Sequence, residues 1–213
     1  MAFGRLASHK STGAVTQSVY QVPVGKRALV NVSVLNNSGT TAKVYLYISP
    51  TSTPANDYLI QHDTLTVSNL GYERSGLVLK AGECLCYKTD QAGVNVVVSG
   101  EEEDSAGDDF SVTSLITTNT DTTIYPNAGA KTSAVNISVC IPEGSASDLV
   151  NVELYVTTTN IAGGFLIQKE TLRATGITGF EKHGQVISAA DKLILRTTGI
   201  SGQLATRVQG FVE

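Results

Sequence analysis

The chain carries the same message twice. "DYLIQHDTL" at residues 57–65 returns as "GFLIQKETL" at residues 164–172, with five of nine positions identical, Tyr58 answered by Phe165 and Asp63 by Glu170. "VNVSV" from Val30 returns as "VNISV" from Val135, and "GYERSG" from Gly71 as "GFEKHG" from Gly179. "VVVSGE" ending at Glu101 is answered by "TRVQGF" ending at Phe211. The anchors keep their order while their offset drifts between about 105 and 110 residues, as short loop insertions would cause. A unit of roughly 100 residues can bury its own core, and it is far longer than solenoid periods of roughly 20–50 residues. The repeat predicts two tandem homologous domains, 1–105 and 106–213.

The pattern inside each copy is that of strands. Val30, Val32 and Val34 alternate with Asn31 and Ser33, and Val135, Ile137 and Val139 do the same in the second copy. Such alternation places the apolar side chains on one face of a half-buried strand. "KVYLYIS" and "NVELYVT" repeat it, and "NNSG", "KAGE" and "DQAG" supply turn residues between runs. "ISAADKLIL" is compatible with a helix in isolation, but its counterpart "LKAGECLCY" has Gly82 at the matching place, which predicts a turn followed by a strand. No apolar stripe at helical spacing is sustained. Seven or eight short strands per copy predict an all-β chain of two antiparallel β-sandwich domains, Ig-like or jelly-roll-like.

Charge narrows the partners. A net charge of −4 lacks the clustered Lys and Arg of a nucleic-acid footprint. It also lacks a basic face for anionic membranes. No apolar run approaches the roughly 20 residues that span a bilayer. "MAFGRLASHKSTGAV" has no continuous apolar stretch, so no secretory signal is expected. "EEEDSAGDDF" holds six acidic residues among positions 101–109 and reads as a solvated connector, with the boundary near Ser105. The polar segment before Tyr20, with Gly4 and Gly13, reads as a docking arm.

The search for chemistry uses the repeat as a filter. Residues shared by both copies serve the fold, and a special task belongs to residues unique to one copy. His62 aligns with Lys169 and His183 with Ser75, so both histidines are expected on exposed surface. Glu73 and Glu181 are shared, each beside a basic residue (Arg74, Lys182), and read as ion-paired turn residues rather than as a glycosidase pair. Cys84 and Cys86 share a strand face with poor geometry for a mutual disulfide, and Cys140 aligns with Leu35, so buried reduced thiols are expected. Asp104, Asp108 and Asp109 are hard oxygen donors without the spacing of a calcium loop. Tyr45 and Tyr47 share a face, with Tyr87 expected near them. No nucleophile elbow, zinc motif or phosphate loop occurs, so no catalytic, cofactor or metal residue is expected and the chain reads as a non-enzyme.

"YQVPVGKRALVNVSVLNNSG", "DYLIQHDTL" and "GYERSGLVLKAGECLCYKT" resemble a module of virion structural proteins of tailed bacteriophages, most like those of marine and cyanobacterial phages. Tyr20, Pro23, Gly25, Val30, Asn31, Asp57, Tyr58, Glu73, Arg74, Gly76, Ala81, Gly82 and Glu83 match its recurring phrase. The second copy departs from it, with "YPNAGAK" in place of the opening and Ala189–Ala190 in place of Ala81–Gly82. The resemblance implies a particle component, made in the host cytoplasm and localised to the virion. It would be oligomeric there, on tail, baseplate, fibre attachment or capsid surface, with other virion proteins as partners. The alternative is a two-domain adhesion protein whose partner is a cell-surface glycan; the absence of Trp and aromatic content of 6% weigh against it.

Overall fold

The computed structural model describes all residues except 1, 68–69, 128–130, 143–144, 146–148, 175–177 and 213. The chain divides into two compact units, Met1–Asp109 and Phe110–Glu213. In the first, the strands are β1 (Ala2–Lys10), β2 (Val15–Gln21), β3 (Lys26–Asn36), β4 (Ala42–Ser49), β5 (Leu59–Leu65), β6 (Gly71–Leu79), β7 (Cys84–Thr89) and β8 (Val94–Asp104). In the second they are β9 (Asp109–Ile116), β10 (Asp121–Tyr125), β11 (Ser133–Cys140), β12 (Val150–Thr157), β13 (Phe165–Leu172), β14 (Gly179–Ile187), β15 (Lys192–Thr198) and β16 (Leu204–Val212). A single 3-10 turn precedes β5 and another precedes β13.

Each unit is built from two four-stranded sheets. The first unit has the orders β1-β8-β3-β6 and β2-β7-β4-β5. The second has β9-β16-β11-β14 and β10-β15-β12-β13, the same orders with every strand number raised by eight. The first strand of each unit pairs with the last, and consecutive strands change sheet except for the fourth and fifth, which pair with each other. That is the eight-stranded jelly roll. Of the two sandwich types open from sequence, the jelly roll is the one formed.

The repeat holds at the level of register. Val30 stands opposite Gly100 in β8, and Val135 stands opposite Gly210 in β16. Val30, Val32 and Val34 face one core, together with Val44, Leu46 and Ile48. Val135, Ile137 and Val139 face the other, with Val152 and Leu154. Full burial of each such side chain contributes about 1.5–3 kcal/mol, and a one-residue slip would turn the whole set to the wrong face.

Both copies interrupt their ladders at the same place. The pairing of β3 with β6 shifts between Val30 and Val32, and that of β11 with β14 between Val135 and Ile137. The extra residues of β6 and β14 include Gly76 at φ 69° and Gly184 at φ 62°. A β-bulge with one residue in the left-handed region favours glycine, which has no Cβ to clash.

Two expectations are corrected by the strand map. The segment before Tyr20 is not a free arm, because Ala2 to Lys10 pair with β8 from Glu102 to Asn95 as an edge strand. The acidic run is not a connector throughout. Glu101 to Asp104 end β8 and pair with Leu29 to Lys26. Opposite charges make that pairing favourable: Lys26 meets Asp104 at 2.5 Å, and Arg27 meets Glu103 and Asp108 at 2.7 Å each. Residues 189–190 form a turn and β15 starts at Lys192, as read from the counterpart of Gly82. Of "YPNAGAK", residues 128–130 lie outside the described residues.

Candidate functional site

Residues common to both copies are spent on the scaffold. The Ser33 hydroxyl donates to Glu73 at 3.0 Å, and the Ser138 hydroxyl donates to Glu181 at 3.2 Å. Both glutamates lie inside strands, not turns, and bridge the third and sixth strands of their unit. Gln61 donates to Asp63, and Gln168 donates to Glu170 at 2.7 Å. Burial pushes the Asp63 carboxyl above its ordinary range, against the pull of the Gln61 hydrogen bond and the Arg74 charge.

The residues singled out from sequence are scattered. His62 is 9% exposed, not a surface residue, and stacks on Tyr45 with ring centroids 4.2 Å apart. His183 is exposed and bonds Glu181 at 2.9 Å. Tyr45 and Tyr47 share a face, but Tyr87 points the other way, into the core beside Leu46, where His9 Nδ1 meets its hydroxyl at 2.7 Å. Cys84, Cys86 and Cys140 are buried thiols, not disulfides. Burial, then the neighbouring Cys84, pushes the Cys86 thiol up to about 11. The three aspartates considered for a metal have other partners: Lys26 for Asp104, Arg27 for Asp108 and the Ser105 hydroxyl for Asp109. Among the described residues, no group of three or more His, Cys, Asp or Glu is placed to hold a metal ion. Nor is any helix among them long and apolar enough to cross a membrane.

One constellation is unique to one copy. On the outer face of the β10-β15-β12-β13 sheet, polar side chains link across all four strands. Asp121 accepts from Arg196 Nε at 2.9 Å and from its Nη2 at 3.3 Å. The Arg196 guanidinium lies 6.0 Å from the Tyr155 ring centroid, and the Tyr155 hydroxyl donates to Glu153 at 2.8 Å. Glu153 Oε1 in turn meets Lys169 Nζ at 2.8 Å. Hydrogen bonds from Lys169 and Tyr155 hold the Glu153 carboxyl below its usual range, while Glu153 raises Lys169 and Asp121 raises Arg196. A groove of about 290 Å³ runs beside the network, lined by Asn151, Glu153, Lys169, Arg196 and Thr198.

The same register positions differ in the first unit. Where Glu153 faces Lys169 and Arg196, Tyr45 faces His62 and Lys88. Tyr45 is buried there, with Lys88 Nζ 5.1 Å from its ring centroid. The sequence filter pointed to residues present in one copy only. Glu153, Lys169 and Arg196 are such residues, but each is an ordinary charged residue in isolation and carries no local signal of a site.

No protein-family model matches the chain, and no curated protein matches it. Among solved structures it is similar to the MCP of STIV, the Sulfolobus turreted icosahedral virus, at 8% identity over 96% of this chain and 93% of that one, with a TM-score of 0.33. It is similar to the PBSX exported protein XepA at 10% identity over 97% and 85% of the two chains, with a TM-score of 0.29. The N-terminal CBM22-1–CBM22-2 tandem domain of Paenibacillus barcinonensis Xyn10C matches at 10% identity over 99% and 98%, with a TM-score of 0.26. Likeness at this level does not extend to residues or sites.

Proposed function

We propose that the chain is a non-enzymatic structural component of a virus particle, a tailed phage by the resemblance of its first copy. The observation that carries this reading is the use made of the phage-like phrase. Asn31, Glu73 and Gly76 of that phrase hold the bulged junction of β3 and β6, and equivalents hold β11 to β14. The motif specifies a rigid module and is used twice. Two modules on one chain offer two docking surfaces, which raises effective concentration against a repetitive partner. The surfaces would engage other virion proteins on the tail, baseplate, fibre attachment or capsid, and the protein would be oligomeric in the particle.

Quantitative mass spectrometry of purified particles tests this. The protein should co-purify at fixed stoichiometry to the major capsid protein. A copy number near that of the capsid protein would place it on the shell, and a small multiple of three or six would place it on the tail. Its consistent absence from particles would overturn the reading.

A further inference from the structure

We infer that the groove on the outer face of the β10-β15-β12-β13 sheet is a binding site for a neutral oligosaccharide, a property independent of the particle role. The first ground is the copy comparison. The first unit folds into the same jelly roll with Tyr45, His62 and Lys88 at the equivalent positions, so the fold does not require the Glu153 network.

The second ground is the chemistry of the lining. Asn151, Glu153, Lys169, Arg196 and Thr198 present amide, carboxylate, ammonium, guanidinium and hydroxyl groups, with no aliphatic side chain among them. The apolar surface between these heads comes from side-chain stems such as those of Lys169 and Arg196, which suits the C–H face of a sugar better than a wholly apolar ligand. The charges also cancel, because Lys169 is paired with Glu153 and Arg196 with Asp121. An anion or cation would have to compete with a partner already in place. A hydroxyl both donates and accepts, so a ligand rich in hydroxyls can bond to both signs of the network at once and leave the ion pairs intact.

The third ground is preorganisation and extent. Asp121, Arg196, Tyr155, Glu153 and Lys169 fix one another across four strands, so less side-chain freedom is lost when a ligand is bound. A second open groove of about 360 Å³, lined by Leu166, Ile167, Gln168 and Lys169, shares Lys169 with the first. The two meet along β13, giving room for more than one sugar ring. Leu166, exposed in the second groove, offers an apolar surface to the C–H face of a sugar.

The test uses the full chain and neutral hexasaccharides of glucose, mannose, galactose and xylose, with sialylated and sulfated oligosaccharides as the charged set. Binding is followed by amide chemical-shift changes and calorimetry. At least one neutral hexasaccharide should bind, with shifts centred on Glu153, Lys169 and Arg196. Glu153→Gln and Arg196→Met should each weaken it at least tenfold without changing the thermal midpoint by more than the scatter of replicates. A Tyr45→Phe change in the first unit should leave it unaltered. Absence of binding by every neutral member at millimolar concentration would overturn the proposal. So would preference for the charged set, or binding that survives both groove substitutions.

Discussion

Asn31 Oδ1 accepts a hydrogen bond from the backbone N–H of Gly76 at 2.9 Å, and Asn136 Oδ1 accepts the same bond from Gly184 at 2.8 Å. The donor in each case is the bulge glycine, whose amide has left the regular ladder. An asparagine on the adjacent strand supplies the lost acceptor, which explains why "VN-x-SV" and the glycine of "E-x-x-G" recur together. Asn31→Ala is expected to lower stability by about 1 kcal/mol, the net worth of one hydrogen bond. Asn31→Asp keeps the acceptor and should cost less. Urea denaturation of the two variants checks the order; equal loss in both would remove the acceptor from the account.

The core positions beneath those bulges should respond far more strongly. Val32 and Ile137 are 0% and 1% exposed in their respective units. Val32→Asp or Ile137→Asp buries a charge with no prepared partner, which costs several kcal/mol or prevents folding. The soluble fraction on expression, compared with that of Asn31→Asp, reads out the difference. Comparable yields at positions 31 and 32 would contradict the assigned faces.

A third expectation concerns backbone strain in the second copy. Ala190 has φ 70°, where its counterpart Gly82 has φ 81°. A side chain in that region costs about 1–2 kcal/mol, part of which glycine returns through its freer unfolded chain. Ala190→Gly should therefore stabilise the protein by about 0.5–1 kcal/mol, and Gly82→Ala should destabilise it by a similar or larger amount. Differential scanning calorimetry should show midpoint shifts of opposite sign.

The protein should lose stability in alkali. Burial raises Cys86 to about 11, and burial also raises Tyr20 and Tyr87, Tyr20 further through its hydrogen bond to Glu102 at 2.7 Å. Each is an acid that keeps its proton longer folded than unfolded. Stability contributed by these groups is complete below their unfolded values and declines as pH rises toward the folded ones, because the unfolded chain then binds fewer protons. The urea midpoint should fall between pH 9 and 11. Cys86→Ala and Tyr20→Phe should flatten that fall. The same burial should keep all three thiols from alkylation at pH 8 until denaturant is added.

Much of the architecture was legible because the repeat supplied a second reading of every strand. Val30 and Val135, or Gly100 and Gly210, identify themselves by recurring in register. The outer sheet faces were not legible in this way. Alternation marks Tyr45 and Tyr47 as opposite to Val44 and Leu46, but it does not reveal whether the far face is also buried. The polarity of its counterpart Lys169 therefore points to an exposed His62, whereas the ring is buried against Tyr45. The acidic run misled for a related reason: charge density suggests solvation, and the compensating Lys26 and Arg27 lie about 75–80 residues away in sequence. The network around Glu153 joins four strands, and no local pattern announces a site assembled from single charges.

The pairing of β1 with β8 also governs the order of events during synthesis. Ala2 to Lys10 leave the ribosome well before their partners, Asn95 to Glu102, which emerge only after nearly the whole first unit has been made. Until then this strand lacks the neighbour to which its backbone is hydrogen-bonded in the sheet. Long-range closure of this kind slows folding and leaves nascent chains open to wrong partners, and the second unit repeats the delay with β9 and β16. A cell translating many copies at once faces this hazard on every polysome, so conditions that slow initiation should improve the yield of native protein more than conditions that raise expression.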